Sequence, residues 1–470
     1  MKTVLSLAAA VVLQSALYAQ VDPQNFTNNN TTSTTMLGIS PDGTRVLAQQ
    51  GGFYGTIPWG GGAFQSLGLP TLSVRNAIWD TNSQGVFFAE EVISGTTVTV
   101  NLRRRDLNLS TTNVLMNTNP PVRLFLVDRQ RAFLYGTQTT FVAGVQNELI
   151  VRVPLAGPPM IQQLRTISGG TISEMDIDPS GTRLLMLFLP QGGPFIPSSV
   201  LSMPSTGLTA PVTLATNWPI QNIGWTNGQS RAVFAFRNAA VTGNNFLQIG
   251  AVDVASPGTI IPLTGGRRDH DKLGVSNDQS LLAFEVRDGN TGTTPSFEDV
   301  AAVMPASGGG EVLLMALRRF DMLGGSRMSI NTSANVTRVA YAAREFGVDN
   351  FFQVYGQSVG NDITVTPAAR LGAVQTITFQ NQGAPFFFIA VMLNLTRVNA
   401  SGPPVAGPIL VDPNGALAVV GITNAPIGTG SLTVPTDPVF IDVNLYFQAI
   451  TGLPNGLLLA SRMVEAAVIQ

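Results

Sequence analysis

Residues 38–47 read Gly38-Ile39-Ser40-Pro41-Asp42-Gly43-Thr44-Arg45-Val46-Leu47, an apolar segment, a turn and a second apolar segment. In the turn, proline presets φ, aspartate caps through its side chain, and glycine accepts positive φ. The four residues 40–43 therefore reverse the chain between two antiparallel strands. The arrangement returns at residues 176–185, which read Asp176-Ile177-Asp178-Pro179-Ser180-Gly181-Thr182-Arg183-Leu184-Leu185. This second copy indicates an internal repeat.

Five weaker copies of the strand-turn-strand unit complete the repeat. The first apolar residue after each turn marks its position: Val46, Val86, Ala132, Leu184, Ala232, Leu282 and Val339. The spacings run from 40 to 57 residues and average about 49, the length of a four-stranded propeller blade. Continuous apolar runs such as residues 233–236 suit strands that are buried on both faces. We therefore predict an all-β chain with a seven-bladed β-propeller over residues 20–365.

The turn at residues 40–43 and its echo at 178–181 resemble the repeats of the TolB-like propeller family. The resemblance covers roughly residues 21–365 and implies the propeller fold. The family includes periplasmic binding scaffolds, propellers attached to peptidases and some lyases. The resemblance therefore implies no single activity.

The repeat stops at about residue 366. Short β-patterned segments parted by Gly/Pro turns, such as 376–379, 386–391 and 439–449, predict a small β-sandwich over residues 366–470. The order of segments 407–413, 432–435 and 445–449 resembles a C-terminal module of secreted proteins from planctomycetes and related bacteria. That resemblance implies a bacterial, exported setting.

Residues 1–19 have the pattern of a secretory signal peptide. Lys2 supplies the positive start, residues 4–13 an apolar stretch, and Ala19 a small residue at the cleavage site. The alternative, an N-terminal membrane anchor, is disfavoured because Gln14 and Ser15 interrupt a stretch that is already short. We expect an exported protein that is extracellular, on the cell surface or periplasmic.

Composition excludes several classes of partner. The 26 Lys and Arg residues against 28 Asp and Glu give a net charge of −2, which lacks the basic surplus of a nucleic-acid binder. No apolar run long enough to span a membrane follows the N-terminus. We expect no membrane span after signal removal, no nucleic-acid partner and a monomer.

The residue types that usually carry catalysis are scarce. The chain has no cysteine and a single histidine, His270, whereas metal-dependent propeller enzymes use several histidines around one ion. No Gly-x-Ser-x-Gly elbow, Walker loop or dinucleotide fingerprint occurs. We expect no metal, no cofactor and no catalytic residues, and hence that the protein is not an enzyme.

The densest polar cluster is residues 267–272, immediately before the innermost strand of the sixth repeat, where propeller loops open toward the central channel. Aligning the other repeats on their first apolar residues places Met36, Asn76, Arg123, Glu174, Asn222 and Arg327 opposite Lys272. We predict ligand-binding residues at this channel mouth: Asn76, Arg123, Glu174, Asn222, His270, Asp271, Lys272 and Arg327. In this interpretation Arg123, Lys272 and Arg327 donate to an anionic or hydroxyl-rich ligand. Alternatively, these side chains only solvate a water-filled channel.

The sequence thus favours a non-catalytic binding or interaction protein whose ligand is a glycan, a peptide or a protein. One alternative is a structural cell-surface component without a ligand site. Another is a propeller enzyme that works through the channel carboxylates Glu174 and Asp271. That enzyme requires two acidic groups that converge in the channel and have raised proton affinity.

Overall fold

The computed structural model describes residues 23–27, 31–95, 97–192, 196–228, 230–238, 246–266, 268–288, 300–314, 320–323, 327–333, 336–345, 347–359, 363–380, 388–395, 397–402, 405–411, 418–441, 443–452, 454 and 458–469. Nearly all regular structure in these ranges is β-strand, with one 3-10 turn at Pro438–Phe440. No helix in them is long and apolar enough to cross a bilayer. The predicted signal peptide and Arg267 lie outside the described residues.

A two-residue strand, β1 (Gln24–Asn25), precedes five four-stranded antiparallel sheets of consecutive strands. The first sheet contains β2 (Thr34–Ile39), β3 (Arg45–Gln50), β4 (Phe53–Pro58) and β5 (Gln65–Pro70). The second contains β6 (Val74–Trp79), β7 (Gly85–Ser94), β8 (Thr97–Asp106) and β9 (Thr112–Thr118). The third contains β10 (Val122–Val127), β11 (Phe133–Val142), β12 (Val145–Pro154) and β13 (Gln162–Ser168). The fourth contains β14 (Gly170–Ile177), β15 (Arg183–Pro190), β16 (Ser198–Pro204) and β17 (Val212–Asn217), and the fifth β18 (Ile220–Thr226), β19 (Arg231–Arg237), β20 (Leu247–Asp253) and β21 (Ile261–Pro262).

Two further sheets follow along the chain. The sixth contains β22 (Arg268–Val275), β23 (Leu281–Asp288), β24 (Val300–Pro305) and β25 (Glu311–Leu313). In the seventh, β26 (Phe320–Met322) and β27 (Ser329–Ser333) both pair with β28 (Val336–Glu345), which pairs with β29 (Gln353–Val359). Strand β1 completes this sheet from the other end of the chain, with Gln24 opposite Gly356 and Asn25 opposite Tyr355.

The sheets form a closed ring. Each of the strands β2, β6, β10, β14, β18, β22 and β27 contacts the next one in this order, and β27 contacts β2. These strands therefore surround a common axis as the innermost strands of their sheets. The structure confirms the predicted all-β class and the propeller architecture.

The repeated turns form by the predicted chemistry. Asp42 Oδ1 accepts hydrogen bonds from Ser40 Oγ at 2.6 Å and from Thr44 N at 3.0 Å, and Gly43 has a φ of 74°. In the fourth sheet the carboxylate and the hydroxyl exchange positions. Asp178 occupies the position equivalent to Ser40 and accepts a hydrogen bond from Ser180 Oγ, which occupies the position equivalent to Asp42. These two turns therefore use one carboxylate and one hydroxyl, in either order.

Hydrophobic cores lie between neighbouring sheets. Between the fourth and fifth sheets, Leu185 and Leu187 share a core with Trp225 and Phe234. Trp225 is completely buried, so this side chain fills the core and does not present a stacking surface. Each sheet buries both of its faces against its two neighbours, and the ring is the arrangement that allows this.

The strands after the ring form two layers. They are β30 (Ile363–Thr366), β31 (Val374–Gln380), β32 (Phe388–Asn394), β33 (Arg397–Gly402), β34 (Val405–Val411), β35 (Ala418–Thr423), β36 (Ile427–Thr433), β37 (Asn444–Gly452) and β38 (Leu458–Ala467). One sheet has the order β30-β31-β36, and the other has the order β38-β37-β32-β35, with β33 and β34 paired beside β38. Phe379 of the first sheet and Phe447 of the second share a hydrophobic core.

This C-terminal region is continuous with the ring. Strand β38 pairs with β25, so the sixth sheet extends without a break into the C-terminal strands. The predicted domain boundary at residues 365 and 366 stays a prediction, as does the resemblance to a module of secreted proteins.

Candidate functional site

In the first six sheets the innermost strand has a β-bulge at, or within two residues of, the position that the sequence alignment placed opposite the others. The ladder shifts register at this level in each of the first six sheets. In three of them the bulged residue has positive φ: 49° at Asn76, 59° at Asn222 and 54° at Lys272. A bulge leaves backbone groups unpaired and redirects side chains, so these positions can bond to the neighbouring sheet.

Most of the predicted site residues bridge adjacent sheets. Asn76 Nδ2 donates to Leu124 O of the third sheet at 3.0 Å, and Arg123 donates to Ile172 O of the fourth. Met36, at the equivalent position of the first sheet, is buried and apolar. These side chains tie the ring together at the channel, and Arg123 remains exposed to solvent there.

Glu174 and Arg327 connect sheets that are not neighbours. Glu174 accepts from the backbone amides of Asn222 and Ile223 at 3.0 and 2.8 Å, and its Oε2 pairs with the Arg327 guanidinium. Because the fourth and seventh sheets are not adjacent in the ring, this ion pair crosses the channel. The Arg327 side chain is 41% exposed and that of Glu174 is 21% exposed, so solvent and solutes reach both.

Asp271 lies beside this pair. Its Oδ1 accepts from Gln221 Nε2 at 2.6 Å, from Asn222 Nδ2 at 3.3 Å and from Lys272 N at 2.6 Å. Among the described residues, none donates to Oδ2. Burial raises the pKa of Asp271, against the lowering effects of the Lys272 amide and ammonium groups. The Asp271 carboxyl group is therefore protonated more easily than that of an ordinary aspartate.

Two predicted site residues lie in the interior. The Lys272 ammonium group is buried and donates to Glu285 Oε2 at 2.6 Å. His270 is 2% exposed and has Glu311 3.2 Å from Nε2. Neither side chain belongs to the ion pair of Glu174 and Arg327, which is exposed to solvent. We name the five residues Glu174, Gln221, Asn222, Asp271 and Arg327 the mouth cluster.

A second contact crosses the ring at its other end. Arg129, in the turn of the third sheet, donates to Asn277 O in the turn of the sixth sheet, which is not its neighbour. The charges of Arg327 and Arg129, one from each crossing, both act on Asp176. Burial raises its pKa, while the Trp225 and Ile177 amides and then the charges of Arg327 and Arg129 lower it.

Sequence reasoning missed Gln221, Asp176 and Arg129. The spacing of Asp176 two residues after Glu174 on β14 is a usable signal for Asp176, since residues two apart share a strand face. Gln221 precedes the bulged Asn222 and could be found only once the bulge is known. Within the ranges that the structure describes, no group of three or more His, Cys, Asp or Glu side chains could hold a metal ion.

The fold and its mouth cluster define a β-propeller with a polar, partly bridged channel. No family model matches the chain, and no curated protein matches it. The chain does match solved structures. An oligogalacturonate lyase in complex with manganese is 12% identical over 72% of this chain and 96% of that chain, with a TM-score of 0.52.

A second similar structure is the oligogalacturonate lyase from Vibrio parahaemolyticus, at 10% identity over 73% of this chain and 94% of that chain, with a TM-score of 0.53. A TolB structure from Agrobacterium tumefaciens is 13% identical over 70% of this chain and 96% of that chain, with a TM-score of 0.36. At these identities the likeness to the lyases extends to the fold alone.

The comparisons correct one prediction. The prediction that the protein is not an enzyme is wrong as argued, because propellers that match this one over nearly their whole length are enzymes. The scarcity of histidine and the absence of cysteine excluded particular chemistries, and carboxylate chemistry needs neither residue. The fold is therefore compatible with catalysis.

Proposed function

We propose that the protein binds an uncharged, hydroxyl-rich ligand, a carbohydrate, at the mouth cluster. The observation that carries this proposal is the hydrogen-bonded cluster of amide, guanidinium and carboxylate groups from the fourth, fifth, sixth and seventh sheets, which solvent reaches at Arg327 and Glu174. Sugar hydroxyls donate and accept, so they require both kinds of partner.

Charge balance favours a neutral ligand over an anion. The Arg327 guanidinium is paired with Glu174, the Arg123 guanidinium has the charge of Glu148 nearby, and the Lys272 ammonium group is committed to Glu285 inside the sixth sheet. An anion would therefore meet no surplus positive charge at the mouth. The pattern of residues 1–19 supports placing this binding outside the cytoplasm.

The test is a glycan array probed with the full mature chain, followed by calorimetric titration of each glycan that binds. We expect Arg327→Ala and Asn222→Ala to weaken binding at least tenfold, since each removes donors at the mouth. Arg344→Ala is the matched control, because Arg344 is also in the seventh sheet, 37% exposed and paired with Asp321. Absence of any bound glycan, or equal affinities for Arg327→Ala and the control, would overturn the proposal.

A catalytic role for the same cluster is favoured by one observation. Burial raises the pKa of Asp271, and a raised carboxyl pKa is typical of groups that exchange a proton with a substrate. Each bound glycan is incubated with the protein and analysed by mass spectrometry. If Asp271 is the acid, Asp271→Asn binds the glycan and yields no product; an unchanged glycan with the wild-type protein restricts the function to binding.

A further inference from the structure

The junction between the sixth sheet and the C-terminal strands places two carboxylates opposite each other. Glu311 on β25 is the direct pairing partner of Glu465 on β38. The two side chains are 4% and 3% exposed. Like charges that face each other on paired strands repel, and burial in a low dielectric strengthens the repulsion. The pairing of β38 with the ring therefore depends on nearby cations.

Strand β22 supplies both cations. The Arg268 guanidinium pairs with Glu465 and also donates to Tyr446 Oη at 3.2 Å. His270, two residues further on the same face, has its Nε2 3.2 Å from Glu311 Oε1. With His270 protonated, the four side chains sum to zero charge; with His270 neutral, they carry one net negative charge in a buried place.

The surroundings of the imidazole require protons on both nitrogens. Nδ1 lies 3.0 Å from Arg268 O and 3.3 Å from Leu247 O, and Nε2 faces the Glu311 carboxylate. All three partners are oxygen acceptors. A neutral imidazole carries only one N–H and would leave one side without a donor, so the geometry fits the imidazolium.

The other titratable groups around His270 have different partners. Asp269 on β22 accepts from Leu247 N, Asp271 bonds to Gln221, and Glu285 on β23 pairs with Lys272. Tyr446 on β37 reaches Arg268. A small cavity beside these groups is lined by Arg268, His270, Glu311, Asn444 and Glu465. His270 is therefore the group in this cluster whose ordinary pKa lies nearest neutral pH.

We propose that protonation of His270 controls how firmly β38 is held on the sixth sheet, so that the C-terminal strands loosen from the ring as the pH rises. The imidazolium neutralises the facing glutamates, and its loss leaves them repelling each other across the strand pair. The protein thereby gains a pH-sensitive attachment between its propeller and its C-terminal strands.

The direction of the effect follows from linkage. Burial lowers the pKa of His270, but the charge and hydrogen bond of Glu311 outweigh it, aided by Glu465 and opposed by Arg268, and the net pKa is raised above 6.5. A raised histidine pKa contributes stability that is complete below the unfolded value and is lost as pH rises through the folded value. The attachment is therefore strongest below about pH 6.

The first experiment is an NMR titration of the imidazole in the full chain, which has a single histidine and gives one unambiguous signal. We expect a pKa above 6.5 in the wild type. In Glu311→Gln the pKa should fall below 6.5, because burial then acts with less opposition. A wild-type pKa at or below 6.5, or one that Glu311→Gln does not lower, would overturn the proposal.

The second experiment measures hydrogen-exchange protection factors in β38 from pH 6 to above the His270 pKa that the NMR titration gives. We expect protection in the wild type to fall at least tenfold over this range, relative to the inner strand β14 of the same molecule. Glu311→Gln should keep its protection, since Arg268 and Glu465 alone are neutral. Equal pH dependence of β38 in both proteins would rule out His270 as the controlling group.

Discussion

The Arg131 guanidinium donates to both carboxylate oxygens of Asp80, from Nε at 2.7 Å and from Nη2 at 2.8 Å. Arg131 is in the turn of the third sheet, and Asp80 is in the corresponding turn of the second. Arg104 of the second sheet also donates to Asp80, whose side chain is fully buried. The Asp80 carboxylate therefore joins the second sheet to the third through Arg131, while Arg104 holds it from within its own sheet.

Removing that carboxylate should destabilise the ring. We expect Asp80→Ala to lower the free energy of unfolding by about 3 kcal/mol, because Arg104 and Arg131 lose their shared countercharge. Urea denaturation followed by tryptophan fluorescence measures the change. Asp321→Ala is the control, since its ion pair with Arg344 is about one-third exposed and should contribute less than about 1 kcal/mol.

The free energy of unfolding should be equally sensitive to the packing of Phe26, which directly follows β1. Phe26 is 2% exposed, packs edge-on against Trp59 with ring centroids 5.0 Å apart, and lies over Gly356, where a Cβ would overlap its ring. We expect Phe26→Ala to reduce stability by about 3–5 kcal/mol, and Gly356→Ala to reduce it by about 1–3 kcal/mol through overpacking. Calorimetry on both variants tests this, and a Phe53→Ala variant at an exposed position of the first sheet should behave as wild type.

Asp271 should give a distinctive pH dependence. Because burial raises its pKa, the native state holds the proton more tightly than the unfolded chain. Its contribution to the free energy of unfolding therefore falls as pH rises from the ordinary aspartate range through the raised value, and is flat above it.

We expect the difference in unfolding free energy between Asp271→Asn and the wild type to increase over that window. Parallel urea titrations from pH 3 to 8 measure it. A difference that decreases with pH would show that the carboxylate is stabilised in its charged form.

Lys272 and Glu285 should behave as a buried pair. Lys272→Ala alone leaves Glu285 in the interior beside Arg287, and we expect a loss of about 3 kcal/mol. The double replacement Lys272→Met with Glu285→Met should recover most of this loss, because a packed apolar pair needs no countercharge. If the double variant is less stable than Lys272→Ala, the ion pair itself is the stabilising element.

The ring was predictable because its signal is local. The bonds of Ser40, Asp42 and Thr44 join residues within four positions of each other, so the turn can be recognised in the sequence and counted. The propeller follows from the repetition of that turn.

The bulges and long-range pairs were not predictable. The alignment correctly placed Lys272 at the level of the channel, but its side chain is buried against Glu285. Lys272 lies at a bulge and has positive φ. A shift of one residue along a strand moves a side chain to the other face. The Arg327 and Glu174 pair joins residues 153 apart, and the Arg268 and Glu465 pair joins residues 197 apart. No local pattern encodes such contacts, which is also why the extension of the sixth sheet into β38 was not foreseen.

The pairing of β1 with β29 sets an order of events during folding. Asn25 and Tyr355 are separated by 330 positions, so the first strand cannot find its partner until almost the whole ring has been synthesised. Long-range pairing of this kind slows folding. The closure of the ring by β1 and β29 is therefore the pairing in the propeller with the largest loop to close.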